Sequence, residues 1–220
     1  MKRVMTEVPD IGSIDFSSLW YTTKEGNLND KSFSHIVSKA DELRKKYKNA
    51  RIFSLGQSPA WIVEAVDILN KREGKAQQTG FIPFSKSFVS WNRETGVYGK
   101  DISNFPTDLH IQNYRKLLVG LGLDPSTIIQ KNKEGEKTVF VEAVLESGKG
   151  LASFLMFLID WAQEENIEKE LLESLSVTCM IGYRVDALRS MGVPVLVDNI
   201  LTISSAVSYT HLTLPTIRLV

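Results

Sequence analysis

A chain of 220 residues with 26 basic and 26 acidic side chains has no net formal charge, which excludes bulk attraction to nucleic acid or an anionic membrane and leaves any anion specificity local. With 43% hydrophobic and 24% charged residues it is too apolar for a disordered chain, and its length suits one domain built around one core. A single cysteine, Cys179, excludes an internal disulfide; no apolar signal core follows Met1 and no run reaches the roughly 18 apolar residues of a membrane span, so a cytoplasmic protein is expected.

In chain order, Phe16, Leu19, Trp20 and Tyr21 mark a strand or extended cover segment ahead of the Gly26-Asn27 turn. From Asn29 or Asp30, either a plausible N-cap, Phe33, Ile36, Val37, Ala40, Leu43 and Tyr47 recur at helical spacing. Lys39, Arg44, Lys45, Lys46 and Lys48 fall on the polar face and the C-terminal end, where they complement the helix dipole.

Arg51 to Leu55 reads as a strand, followed by the turn Gly56-Gln57-Ser58-Pro59 and an apolar helix through Trp61, Ile62, Ala65, Val66, Ile68 and Leu69. Ser58 is the expected N-cap and Pro59 the first helical residue, which would leave helix N–H groups turned toward an anion. Gly80 to Phe88 reads as a second strand in which Pro83 argues for an edge or a strand end. Residues 91–106 read as a polar connection, long enough to be a binding loop. His110 opens the next helix as a capping or surface histidine, and Gly122-Leu-Asp-Pro125 ends that helix ahead of a charged turn, Lys131 to Lys137.

The most telling stretch comes next: Thr138-Val-Phe-Val-Glu-Ala-Val-Leu-Glu-Ser-Gly-Lys-Gly-Leu151, a buried-type strand, a glycine turn and the start of an apolar helix. Such a turn offers unpaired backbone N–H groups and the positive end of a helix, so its natural guest is a phosphate. Glu142 and Glu146 set it apart, because carboxylates beside a phosphate call for sugar hydroxyls or a metal to offset them. Ala143 and Gly150 stand where a Walker loop needs glycine and Ser/Thr, which argues against a nucleoside triphosphatase. An ordinary strand-to-helix connection uses similar polar, glycine-containing residues, and that reading stays open. Past the helix, the Cys179 strand and a strand within 192–198, ending near Asp198, complete an alternating order. That order predicts an α/β fold, a mostly parallel sheet flanked by helices.

These residues resemble the ribose-phosphate loop of the type I phosphoribosyltransferases. Val139, Phe140 and Val141 match its apolar lead-in, Glu142 its first acid, Val144-Leu145 its apolar pair, Glu146 its variable acid and Ser147-Gly148 its turn. Ala143 replaces the second acid and Gly150 the hydroxyl residue that contacts phosphate. The resemblance implies a ligand such as phosphoribosyl pyrophosphate or a nucleoside monophosphate, and possible transfer of phosphoribose to a nitrogen acceptor. It further implies that Ser147, Gly148, Lys149 and Gly150 hold the ribose phosphate and Gly56, Gln57 and Ser58 the pyrophosphate. Glu142 would take the ribose hydroxyls directly or through Mg2+, Glu146 would serve as the base, and Arg93 and Lys100 would belong to a lid. An inactive nucleotide sensor or an α/β interaction domain is the alternative.

Residues 207–216 resemble the translation of a transposase adapter used in preparing sequencing libraries, so 207–220 is expected to be a non-native tail. The expected organisation is residues 1–50 as a cover, 51–206 as the α/β core, there cut short, and then the tail.

Overall fold

A computed structural model of the protein describes residues 30–57, 59–84, 87–92, 94, 97–145, 148–182 and 195–197. The N-terminal cover strand, Ser58, Arg93, Glu146, Ser147, Asp198 and the tail lie outside these residues.

The alternation read from the sequence forms a five-stranded sheet. Helix α1 (Asp30–Lys46) leads into β1 (Ala50–Leu55), α2 (Ala60–Arg72) and β2 (Thr79–Ile82). A hairpin follows, β3 (Val89–Asn92) and β4 (Val97–Lys100), and then α3 (Asp108–Gly120) and α4 (Pro125–Lys133). The chain continues through β5 (Lys137–Leu145), α5 (Lys149–Glu164), α6 (Glu168–Ser174), β6 (Leu175–Gly182) and β7 (Val195–Val197). The sheet order is β2-β1-β5-β6-β7, and every described pairing in it is parallel. The fold is therefore α/β.

Two apolar layers sandwich this sheet because side chains alternate across a strand. Ala50 and Ile52 of β1 and Val139 and Val141 of β5 pack with Ala40 and Leu43 of α1 and with Ile62, Val63 and Val66 of α2. Phe53, Leu55 and Phe140 face the other way, into the cluster built on α5 through Leu151, Phe154, Leu155 and Leu158. Helix α5 is buried on most sides, as its width of apolar residues predicts. Cys179, fully buried in β6, is a small core residue as expected.

Four expectations are corrected. Residues 91–106 are not a featureless connection: β3 and β4 pair antiparallel, with Val89 opposite Lys100 and Asn92 opposite Val97, and Ile102–Asn104 forms a short 3-10 turn capped by Asp101. The four residues between the strands include Gly96, a spacing that hairpin loops favour. The stretch after Gly122 is not only a turn, because the Asp124 side chain accepts the Thr127 N–H at 2.9 Å and Pro125 opens a full helix, α4. Helix α2 starts at Ala60, with Pro59 in the cap position and no side-chain cap, one residue later than predicted. β2 lies at the sheet edge as Pro83 suggested, but it spans only Thr79–Ile82 and stops directly before Pro83, short of the Phe88 to which the strand was expected to run.

Gly80 marks where β2 presses on the core. A Cβ there would lie 2.8 Å from both Cδ1 and Cε1 of Phe53, whose ring is almost fully buried. Gly80→Ala is therefore expected to lower stability by about 1–3 kcal/mol as the ring is displaced. The check is the urea midpoint; an unchanged midpoint would mean that the ring has room to move.

Candidate functional site

The sheet order places the two glycine turns together. From β1 the chain goes out through α2 to β2 on one side, whereas β5 adjoins β1 on the other side and continues through α5 and α6 to β6. Connections leaving two adjacent parallel strands in opposite directions open a crevice at the strands' carboxyl ends, the usual ligand position in open α/β sheets. Gly56 follows β1 and Gly148 precedes α5 beyond β5, so both glycines come after the carboxyl ends of adjacent strands. The strand ends are staggered. Ser54 lies opposite Val141, and β5 then runs to Leu145 while β1 stops at Leu55. β5 thus ends about 10 Å farther along the strand direction than β1, three residues at the usual rise.

Each turn depends on a left-handed glycine. Gly56 has φ +73, and a Cβ on it would lie 3.2 Å from the Phe84 carbonyl oxygen. Its own N–H donates to the Ile82 carbonyl at 2.9 Å, tying the turn to the end of β2. That N–H is committed within the fold, so in the predicted pyrophosphate turn the exposed Gln57 is better placed to meet a ligand. Gly148 has φ 67 and ψ 0, is buried, and precedes α5 without a side-chain cap. Its carbonyl accepts the Ala152 N–H at 2.8 Å, which starts the helix. Lys149 and Gly150 are exposed, and a Cβ on Gly150 would meet nothing within 4 Å. Neither α2 nor α5 carries an acidic residue in its first turn, so no acid of their own offsets the positive ends of these helices.

Glu142 stands three residues before the end of β5, half-buried and opposite Cys179 of β6. Among the described residues, no three His, Cys, Asp or Glu side chains converge into a metal cage. Magnesium commonly binds through one or two carboxylates together with substrate phosphates. A single carboxylate such as Glu142 could take part in that mode only together with substrate oxygens.

Lys100 is engaged within the fold. Its ammonium pairs with Asp160 at 2.7 Å and lies 5.6 Å from the centre of the Phe105 ring. Asp160 is eleven residues past Lys149, which puts it about 16 Å along α5 from the turn. Lys100 thus ties the end of β4 to the later part of α5. His110 is a capping-region residue, as predicted: Thr107 caps α3, and its hydroxyl lies 3.0 Å from His110 Nδ1.

Sequence reasoning missed the bond between the hairpin root and the second turn's helix. Ser153 of α5 is fully buried, and its hydroxyl accepts the Phe88 N–H at 3.0 Å. Phe84 packs its ring edge-on against Phe154 of α5, with centroids 5.5 Å apart, while its carbonyl crowds Gly56. Tyr114 of α3 contacts Phe84 and Phe157, and burial pushes its phenol well above the usual tyrosine range. A serine inside a strongly apolar helix was the available signal, since such a hydroxyl needs a partner when buried.

Among the described residues, no helix is long and apolar enough to cross a membrane. Neither a scan against protein-family models nor a search of curated proteins finds a match to the chain.

Proposed function

We propose that the protein binds phosphoribosyl pyrophosphate or a nucleoside monophosphate in the crevice above β1 and β5, as a phosphoribosyltransferase-type protein. The observation that carries this reading is the pairing of two left-handed glycine turns on adjacent parallel strands at the point where the sheet order reverses. Each turn precedes a helix whose positive end favours an anion, and the stagger of the strand ends suits a ligand longer than a single phosphate.

In this reading the turn from Ser147 to Gly150 receives the ribose phosphate, and Gln57 with its neighbours Gly56 and Ser58 receives the pyrophosphate. Glu142, level with the last residue of β1, would accept hydrogen bonds from ribose hydroxyls. Magnesium, when bound with the pyrophosphate, would stabilise its charge as it leaves. Glu146 is the proposed base for an incoming nitrogen nucleophile. Ala143, in place of a second acid, favours a second reading in which binding is kept and transfer is lost, which makes the protein a nucleotide sensor.

Calorimetry with phosphoribosyl pyrophosphate, with and without magnesium, tests the binding. Glu142→Gln keeps the shape and removes the charge, and is expected to weaken binding about tenfold, the loss of one charge-assisted hydrogen bond. Pyrophosphate release with a panel of bases marks the enzyme, and binding without release marks the sensor. Absence of binding to the unaltered protein overturns both readings.

A further inference from the structure

We infer that the outer face of α3 is a self-association surface, on which a second copy of this chain packs its own α3 in the antiparallel direction. Helix α3 touches the core through a narrow stripe: Leu118 is fully buried, and Ile111 and Tyr114 pack, partly buried, against the same cluster. The opposite side is open. Leu109 is 65% exposed, Val119 55% and Leu117 39%, and Ile102, in the turn just ahead of the helix, is 87% exposed. Single apolar side chains on a surface are ordinary, but gathered on one helix and its lead-in they mark a contact surface.

The other outer helices cover themselves with ion pairs. Lys39 pairs with Glu42 and Lys45 with Asp41 on α1, Lys71 with Asp67 on α2, and Lys131 with Glu134 on α4. On α3, Arg115 turns from the flank to Glu164 of α5, and among the described residues Asp108 and Lys116 have no ion-pair partner. These two charges decide which partner fits. They are opposite in sign and eight residues apart, about 12 Å along the helix and within about 80° of each other around it. A two-fold axis beside Gln112 sets each Asp108 level with the Lys116 of the other copy, so that both pairs form at once. The same axis brings Leu109 within about 3 Å, along the helix, of the other copy's Leu117. A parallel pairing would instead set like charges level with each other. Two copies without net charge do not repel at long range. One helix face buries less than the roughly 800 Å² per partner of a standard interface, so the dimer forms and parts readily.

Sedimentation of the full chain over about a hundredfold range of concentration is expected to show a monomer–dimer equilibrium. Leu109→Glu is expected to raise the dissociation constant about a hundredfold, because each dimer carries the change twice. Lys116→Asp is expected to raise it about tenfold, and Asp108→Lys combined with Lys116→Asp to recover most of that loss, since the pairs re-form with their signs exchanged. All three positions are exposed, so the circular dichroism of every variant is expected to match that of the unaltered protein. A monomer at every concentration overturns the inference, and so does a dimer that Leu109→Glu leaves intact. No loss in Lys116→Asp, or no recovery in the double variant, overturns the antiparallel arrangement.

Discussion

Arg51→Ala is expected to destabilise the protein by about 3–5 kcal/mol, a large part of the 5–15 kcal/mol that ordinarily separates folded from unfolded domains. Arg51 is only 1% exposed at the start of β1, yet it is a cation. Its guanidinium donates to the Gly122 carbonyl at 2.8 Å and to the Thr138 hydroxyl at 2.7 Å, joining β1, β5 and the corner between α3 and α4. Burial pushes its pKa down, while the charges of Glu136 and Asp124 push the other way. The alanine variant leaves the buried Thr138 hydroxyl and the partly buried Gly122 carbonyl without these donors, at up to about 1–3 kcal/mol each, and also opens a cavity. Arg51→Met fills most of the volume and is expected to lose about half as much. The corner fits this side chain closely. Gly122 has φ +67 at the end of α3, with a virtual Cβ 3.3 Å from Arg51 Nη1, and the Leu123 and Gly122 N–H groups close α3 on the Leu118 and Val119 carbonyls. Urea unfolding of the three proteins checks the order; a loss below about 1 kcal/mol for alanine would mean that water replaces the guanidinium without strain.

The second large effect is expected at the ligand. Gly148→Val places a β-branched side chain at φ 67, a region that costs an ordinary residue about 1–2 kcal/mol and a branched one more. Helix α5 is held by its buried face, so the fold should survive while the turn rearranges. Two N–H contacts to a phosphate would then be lost, lowering phosphoribosyl pyrophosphate affinity about a hundredfold. Gly150→Ala is the matched control. It lies in the first turn of α5 with open space before it, so alanine should keep its N–H in place and stabilise the helix by up to about 1 kcal/mol. Calorimetry on both variants decides the matter. If valine at 148 binds as well as glycine, the phosphate does not sit on this turn.

Much of the local structure was legible beforehand. The apolar runs at 51–55 and 138–145, the glycine turns after them and the wide apolar face of α5 all appear where periodicity and turn chemistry put them. Two elements went unseen although their signals were present. Asp124 followed by Pro125 is an N-cap and first-residue pair, and 89–92 and 97–100 are two short strands around a glycine-containing loop. Each was masked by its polar composition. In so short a segment, composition outweighs pattern unless caps and spacing are considered first. The role of Lys100 was not legible in any form, because its partner Asp160 lies sixty residues away.

What the sequence determined by itself is the kind of each element and the chemistry of each turn, since helical and strand periods, capping residues and left-handed glycines act over a few neighbouring residues. Only the tertiary structure decided that β5 inserts beside β1 on the side away from β2, and therefore that the two glycine turns follow adjacent strands. Strand order depends on which apolar faces bury each other across about 90 residues of chain, and the pattern of any single strand is the same whichever neighbour it takes.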